Sequence, residues 1–526
     1  MNKLLATLAL SVAAVAAPAL ADPPKGFEAR VEAVRQKAGV PGMAIAIVEG
    51  GKTTLARGWG IRKLGTTDKV DAHTIFMIGS TGKAITTAAL ATLVDSGKIG
   101  WDDKVVDHIP WFQMYDPWVT REMTVRDLLV HRSGLGLGQG DLLMVPRGSL
   151  SRAETVKRIR YLKPATSFRS SYAYDNILYI VAGQLIEEVT GQSWEDYVRE
   201  HVFGAAGMLD GITDDAHHFA NPNRAWPHAK IGGTIRGLAD LQVLDERDQL
   251  GRAGAPAGMI GLSATDMATW LKIQLAHGAL PDGKGRLFSE AASAEMWAPV
   301  TPMPIHGWPG PLAALTPTYL GYALGWEVQD YAGHQILWHA GGLFGSVSVV
   351  VLIPEKNVGF GIELNSEDSI ARLGLMYELL DHYLGQPPHD WPAKFEAFVK
   401  QRLDGAAAAV TSKAATPAGV GPSLPADRYT GTYVDPWYGR LVIGKDAKGL
   451  TVDFTTTPNM RGRLEHWQYD SFIARFDDKG IEPAYLSFAL DADGAVKTIT
   501  LKPVSPLADF SFDYQDLLFT PAPAGK

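Results

Sequence analysis

Residues 74–83 read Thr74-Ile75-Phe76-Met77-Ile78-Gly79-Ser80-Thr81-Gly82-Lys83, and a small apolar stretch follows at residues 84–94. If residues 80–83 are helical, Ser80 and Lys83 project from one face of a single turn. Serine alone is a poor nucleophile near neutral pH, but a desolvated amine beside it can take the hydroxyl proton. A chain of this length contains roughly one Ser-x-x-Lys by chance. The surrounding sequence therefore decides whether this match is functional or due to chance. A β-branched run before Ser80 and a helix-compatible stretch after Lys83 favour a functional pair.

Strand and helix patterns around this segment indicate the fold class. Residues 42–60 read as a strand hairpin, and residues 346–364 as two strands joined by a turn. Helical spacing at residues 27–37 and 369–384 flanks these strands, while residues 71–296 are mostly helical. Within the helical region, helices are predicted at residues 84–96, 124–130, 177–190 and 264–276. We expect an α+β domain in which the terminal strands form one antiparallel sheet covered by the terminal helices. The junction between this sheet and the inserted helical region is a natural place for a cleft.

The composition changes near residue 405. Residues 405–425 are dominated by Ala, Pro, Gly and Ser and read as a linker, and short alternating strands follow. Their regular spacing predicts an all-β sandwich or barrel of about 100 residues. The expected organisation is a first domain at 22–387, a helix and linker at 388–425, and a β-domain at 426–526.

The first residues resemble a secretory signal. Lys3 gives the positive start, residues 4–17 the apolar stretch, and Ala19-Leu20-Ala21 the small-residue cleavage site. We therefore expect a periplasmic or secreted protein that is cleaved near Ala21. No later segment approaches transmembrane length, so stable membrane insertion is not expected. The chain contains no cysteine, and its stability must come from burial rather than disulfides.

Composition and charge exclude some partners and cofactors. The formal net charge is −8 over 526 residues, which argues against a nucleic-acid-binding surface. Asp214 and Asp215 with His217 and His218 have the residue types of a metal site, but adjacent residues point apart in most backbones. A solvated loop is the favoured interpretation there, and neither a metal nor a cofactor is predicted.

Two further motifs follow Ser80 in order. Tyr174-Asp175-Asn176 lies just before the predicted helix at 177–190. A phenol can relay protons, and an amide can hold a substrate carbonyl or steer the lysine. His339-Ala340-Gly341-Gly342 precedes the strand at 346–353, where glycines let a substrate approach and a backbone N–H can serve an oxyanion hole. Taken alone, each motif also has a structural interpretation, and this alternative is strongest for His339.

The order Ser-x-x-Lys, Tyr-x-Asn, His-x-Gly resembles the serine β-lactamase and penicillin-binding-protein superfamily. Within it the chain is similar to the class-C-type branch, which includes D-aminopeptidases, D-Ala-D-Ala carboxypeptidases and esterases. Residues 124–135, 257–267 and 339–366 are also similar to segments of that family, and the resemblance covers roughly residues 27–384. Residues 429–439 look like the start of a lipocalin-like β-domain that is appended to some members and shapes access or mediates assembly.

The resemblance implies a role for each matching residue. Ser80 would be the acylated nucleophile, Lys83 its general base and Tyr174 the proton shuttle. Asn176 would bind the substrate amide. The backbone N–H groups of Ser80 and Gly342 would form the oxyanion hole.

The third motif departs from the pattern of penicillinases. His339, two residues before Gly341, stands where many members carry a lysine. A lysine is a permanent cation, whereas a histidine near neutral pH is only partly charged. This departure predicts weak or absent β-lactamase activity.

We therefore expect a serine hydrolase with an acyl-enzyme mechanism that acts on small peptides or amides, including those with D-residues. Two alternatives stay open at this point. One is a carboxylic esterase of the same family, and the other is a penicillin-binding sensor that deacylates slowly. The C-terminal β-domain is a candidate surface for homo-oligomer formation.

Overall fold

The computed structural model describes residues 22–248, 251–413 and 420–523. The predicted signal peptide, residues 1–21, and residues 414–419 of the predicted linker lie outside these ranges. No helix in the described ranges combines the length and apolarity needed to cross a bilayer.

The helices of the first domain cover the sheet and form the helical region inserted into it; α13 leads toward the barrel. They are α1 (Phe27–Ala38), α2 (Lys83–Asp95), α3 (Val105–His108), α4 (Pro117–Glu122), α5 (Arg152–Arg158), α6 (Ile177–Thr190), α7 (Trp194–Tyr197), α8 (Asp215–Ala220), α9 (Ala255–Gly258), α10 (Ala264–Leu275), α11 (Glu290–Trp297), α12 (Ser369–Tyr383) and α13 (Trp391–Lys413). The predicted helices at 177–190 and 264–276 match α6 and α10 closely.

The strands of the first domain are β1 (Gly42–Glu49), β2 (Lys52–Gly60), β3 (Phe76–Met77), β4 (His228–Lys230), β5 (Leu241–Val243), β6 (Gly261–Leu262), β7 (Thr301–Pro302), β8 (Leu320–Tyr322), β9 (Glu327–Tyr331), β10 (His334–Leu343), β11 (Ser346–Ile353) and β12 (Val358–Leu364). One antiparallel sheet has the order β2-β1-β12-β11-β10-β9-β8-β7, so the first strand of the domain pairs with its last strand, next to the edge strand β2. The α+β fold expected from the sequence is confirmed.

Strand β1, which lies between β2 and β12, shows why both faces of the sheet are covered. Its residues are all buried, as its continuous apolar run requires. Met43, Ile45 and Ile47 face the core that contains α1 and α12, while Ala44 and Ala46 face the core on the side of α10. Alternate side chains of one strand thus belong to two cores. The sheet is held between two helical layers.

A closed barrel follows the first domain. Its strands are β13 (Gly431–Asp435), β14 (Gly439–Asp446), β15 (Gly449–Phe454), β16 (Arg461–Gln468), β17 (Ser471–Phe476), β18 (Ala484–Leu490), β19 (Val496–Pro503) and β20 (Leu518–Pro521). Aromatic rings fill part of its interior, with Tyr429 4.8 Å from Phe488 and Phe454 6.1 Å from Phe519. The predicted all-β barrel is confirmed, and Tyr438 is buried in its core against Phe454.

Two local predictions were wrong. Residues 124–130 do not form an α-helix; a short 3₁₀ turn spans Arg126–Leu129 instead. Its buried Asp127 accepts hydrogen bonds from the backbone and hydroxyl of Thr124, just before the turn, and from Arg132, just after it. Residues 405–413 of the predicted linker belong to α13, because its alanine-rich run has high helix propensity.

Core packing predicts that alanine substitutions at two leucines of the first domain will lower its free energy of unfolding by very different amounts. Leu375 of α12 is 0% exposed, whereas Leu209 is 89% exposed. We expect Leu375→Ala to lower the free energy of unfolding of this domain by about 2 to 5 kcal/mol, because the substitution leaves a cavity. The matched control Leu209→Ala should change it by less than about 0.5 kcal/mol. Thermal and urea denaturation followed by circular dichroism would measure both, and equal effects would contradict the described core.

Candidate active site

The serine and lysine of the first motif lie where a 3₁₀ turn passes into α2. The turn spans Gly79–Gly82, and Lys83 begins the helix. Residues three apart on a 3₁₀ turn eclipse each other, which brings the two side chains together. Lys83 Nζ lies 3.1 Å from Ser80 Oγ. The local fold therefore holds the amine of Lys83 within hydrogen-bonding distance of the Ser80 hydroxyl.

The amine of Lys83 is surrounded by protein. The residue is 0% exposed, and Nζ donates to Asn176 Oδ1 at 2.7 Å and to the carbonyl oxygen of Ala257 at 2.8 Å. Burial lowers the pKa of Lys83 to about 7, while the nearby acidic groups of Asp141 and Asp175 oppose this shift. A large part of the amine is therefore neutral near pH 7 and able to accept a proton.

Tyr174 approaches the same serine from the loop before α6. A hydrogen bond to Ser80 lowers the pKa of its phenol, but burial dominates and keeps that pKa well above the ordinary value. Lys83 Nζ lies 4.9 Å from the centre of the Tyr174 ring. Tyr174 thus carries its proton and is placed to donate it, rather than to act as a phenolate base.

The third motif lies within β10, close to the turn that carries the nucleophile. A Cβ atom on Gly341 would lie 1.9 Å from the carbonyl oxygen of Ile78, and one on Gly79 would lie 2.7 Å from the backbone nitrogen of Gly342. Side chains at these positions would force the strand and the turn apart. Gly79 also has a φ of +56°, which favours glycine. The glycines therefore allow the backbone of Gly342 to lie beside Ser80.

His339 is buried and neutral, so the partial charge expected from the sequence is wrong. Its Nδ1 lies 2.7 Å from the carbonyl oxygen of Ala340, and its Nε2 lies 2.8 Å from the Tyr322 hydroxyl. Because a carbonyl oxygen only accepts, Nδ1 donates to it and Nε2 accepts from Tyr322. Burial, with the nearby Lys83 amine, lowers the pKa of His339 to about 3. His339 lines the cavity as an uncharged side chain.

A cavity of about 450 Å³ opens over these residues. Ser80, Tyr174, Asn176, His339, Gly341 and Gly342 all line it. The structure thus brings together the residues that the three motifs predicted, with Lys83 buried beneath them. Within the described ranges, no group of three or more His, Asp or Glu side chains is arranged to hold a metal ion. Asp214 instead caps α8 through the backbone of His217.

Sequence reasoning missed several residues that contact this site. Ala257 supplies a carbonyl to the lysine, and Asp141 accepts a hydrogen bond from Asn176 Nδ2 at 2.8 Å. Phe510 from the loop at 505–513 of the barrel packs edge-on against Tyr174, with ring centres 5.8 Å apart. The glycine-rich sequence at residues 134–140 was an available signal that another part of the chain approaches here closely. A Cβ on Gly138 would lie 2.6 Å from the Phe510 ring.

Comparison with known families agrees with this geometry. The model of the beta-lactamase family matches residues 27–384. The chain belongs to the beta-lactamase family. A second model, described as a domain of unknown function (DUF3471), matches residues 415–521, the barrel. The family assignment therefore covers the sheet, the helical region and all three motifs.

Proteins similar to this chain include a hydrolase and a penicillin-binding protein. Unguisins hydrolase ungD of Aspergillus violaceofuscus is 29% identical, with 88% of this chain and 84% of the relative covered. Penicillin-binding protein 4 of Amycolatopsis lactamdurans is also 29% identical, over 63% of this chain and 82% of its own. The octameric penicillin-binding protein homologue from Pyrococcus abyssi is 19% identical and superimposes with a TM-score of 0.56, covering 91% of this chain and 97% of its own. That last likeness shows a shared fold.

The buried Lys83 predicts that the reactivity of Ser80 depends on pH. Labelling of Ser80 by a fluorophosphonate requires an amine that can accept a proton, so its rate should rise with pH and level off above about pH 7, where burial places the pKa of Lys83. Mass spectrometry of samples quenched between pH 5 and pH 10 would measure this rate. A limb that rises only near pH 10 would show that Lys83 behaves as an ordinary exposed lysine. Lys83→Met should remove the limb.

The close approach of β10 predicts a strong effect of one added methyl group. Gly341→Ala should slow labelling of Ser80 by about 100-fold, because its Cβ would meet the Ile78 carbonyl and displace the strand. Gly405→Ala is a matched control, since Gly405 lies in α13 with open space around it. Circular dichroism would confirm that both variants fold. Unchanged labelling in folded Gly341→Ala would contradict the need for this contact.

Proposed function

We propose that this protein is an exported serine hydrolase that cleaves small peptides or amides, including those with D-residues, through an acyl-enzyme. The observation that carries the proposal is the 3.1 Å contact between Ser80 Oγ and the buried Lys83 amine, whose pKa burial lowers to about 7. A serine beside such an amine has both a nucleophile and a base for acyl transfer.

In the proposed acylation, Ser80 Oγ attacks the substrate carbonyl and Lys83 Nζ takes the hydroxyl proton. The backbone N–H groups of Ser80 and Gly342 hold the negative oxygen of the tetrahedral intermediate. Tyr174 then gives its proton to the leaving nitrogen as the C–N bond breaks, and is reprotonated through Lys83. In the second half, water attacks the carbonyl carbon of the acyl-serine ester and gives a proton to Lys83 or Tyr174. That proton passes to Ser80 Oγ as the C–Oγ bond breaks, which releases the carboxylic acid and restores the serine hydroxyl.

The cavity supports a substrate of modest size that is partly apolar and partly polar. Its volume of about 450 Å³ is within the usual range for small-molecule sites. Its lining combines apolar side chains such as Met144, Leu343 and Phe510 with charged ones such as Arg236 and Asp509. A short peptide offers both kinds of surface. The hydrolase name of the relative from Aspergillus violaceofuscus agrees with this class of reaction.

The neutral state of His339 supports weak or absent β-lactamase activity. A penicillin carries a carboxylate that a lysine at this position would pair with. His339 offers neither a positive charge nor a free N–H to the cavity, because both of its ring nitrogens are engaged.

Export remains a proposal that rests on the amino-acid sequence of residues 1–21 alone. Oligomer formation through the barrel is likewise a proposal. The octameric state named for the Pyrococcus abyssi homologue is consistent with it.

Parallel assays would test the activity. We expect steady hydrolysis of D-amino-acid p-nitroanilides, and Ser80→Ala should reduce it by at least ~1000-fold, since the nucleophile is lost. Short-chain p-nitrophenyl esters and nitrocefin would be measured beside them with the same enzyme preparation. A matched control, Ser471→Ala, alters a serine of the barrel strand β17 and should leave turnover unchanged.

Other outcomes would select a different function. Turnover confined to the esters would favour an esterase. A burst of one equivalent with penicillin and no steady turnover would favour a sensor and reject the hydrolase. Full activity of Ser80→Ala would reject all three.

A further inference from the structure

A continuous chain of hydrogen bonds joins the catalytic lysine to the barrel. Lys83 Nζ donates to Asn176 Oδ1 at 2.7 Å, and Asn176 Nδ2 donates to Asp141 Oδ2 at 2.8 Å. The same Asp141 oxygen accepts from the hydroxyl of Ser511 at 2.9 Å. Ser511 belongs to the barrel loop at residues 505–513, so three side chains separate the β-domain from the nucleophile.

Asp141 determines which way the amide of Asn176 points. An amide has one accepting and one donating end, and a flipped Asn176 would turn its NH₂ group toward the Lys83 amine. In its ionised form Asp141 only accepts hydrogen bonds, and its Oδ2 accepts from both Asn176 Nδ2 and the Ser511 hydroxyl, so it holds the NH₂ end. The oxygen end is then left for Lys83. Asp141 itself is 0% exposed and has little freedom to leave this position.

The barrel also holds the backbone on both sides of Asp141. Asp513 accepts from the backbone N–H of Gly140 at 2.6 Å and from that of Leu142 at 3.1 Å. Thr457 donates to the carbonyl oxygen of Leu142 at 3.2 Å. The segment that carries Asp141 is thus fastened by the barrel at three backbone groups.

We propose that Asp141 is a positioning residue of the active site, held by Ser511, and that the two fix the Lys83 amine against Ser80 through Asn176. This inference rests on the proposed roles of Ser80 and Lys83 as nucleophile and base. It makes the barrel a working part of the active site of the first domain, and not only a module appended to it.

Asp141 also acts on Lys83 through its charge. Burial raises the pKa of Asp141 to about 7, and its negative form raises the pKa of the Lys83 amine. The titratable groups around Asp141 and Lys83 come from several elements. They are Asp175, Asp509, Asp513, His131, His339, Tyr174 and Tyr179. Removing the Asp141 charge should therefore move the acid limb of the labelling rate to lower pH, a change that a purely structural residue would not produce.

Labelling of Ser80 by a fluorophosphonate tests the positioning role in the full-length chain, because it needs no knowledge of the natural substrate. We expect D141A to label ~10- to 100-fold more slowly, since Asn176 loses its partner and the lysine its orientation. D141N keeps an accepting oxygen, so it should recover most of the rate and shift the acid limb to lower pH. S511A should slow labelling by roughly 3- to 10-fold. Ser471→Ala, the matched barrel control, should label at the wild-type rate.

The outcomes separate the two proposals. Wild-type rates and an unmoved pH profile in D141N and S511A would overturn the positioning role, even if their melting temperatures fell. These two variants decide the matter if D141A does not fold. A wild-type chain that is not labelled at Ser80 would overturn the proposed function as well. Labelling of the wild type with insensitive variants would overturn the positioning role alone.

Discussion

The burial of one amine is the constraint on which the rest of this structure depends. A charged ammonium is costly to remove from water, and the fold offsets this cost with acceptors from separate parts of the chain. Ser80 comes from the turn before α2, Asn176 from the start of α6, and the Ala257 carbonyl from α9. The helical region has to close around Lys83 for the three to meet. The lowered pKa of Lys83 is therefore a consequence of the whole packing of this region.

The sheet contributes a different requirement, which is close backbone approach. Strand β10 runs against the nucleophile turn with no room for side chains at Gly79 or Gly341. Ser348 of the neighbouring β11 donates its hydroxyl to the Ile78 carbonyl at 2.6 Å and fastens the same turn to the sheet. Arg372 of α12 donates to the carbonyl of Gly341 at 3.3 Å from the other face. The site lies at a junction where each layer of the domain supplies one part.

Local patterns predicted much of the fold, and contacts distant in sequence explain what they missed. The strands at 346–353 and 358–364 and the helix at 177–190 were found with their observed bounds, because turn residues flank apolar runs at each of them. The 3₁₀ turn at Arg126–Leu129 was missed since it depends on a buried Asp127 whose partner Arg169 is remote. The motifs predicted which residues meet in the cavity. Their order could not reveal that Tyr322 and burial keep His339 neutral, nor that the 505–513 loop reaches the site.

That loop has a consequence for the order in which the molecule is assembled. The bond between Ser511 and Asp141 spans 370 positions, and the bond between Asp513 and the backbone of Gly140 spans 373. During synthesis the nucleophile, the lysine and Asn176 all emerge long before the residues that complete their surroundings. The backbone N–H groups of Gly140 and Leu142 stay exposed to water until Asp513 has been made. A chain released before residue 511 is made would thus contain Ser80, Lys83 and Tyr174 but lack the contacts of Ser511 and Asp513 with the segment that carries Asp141.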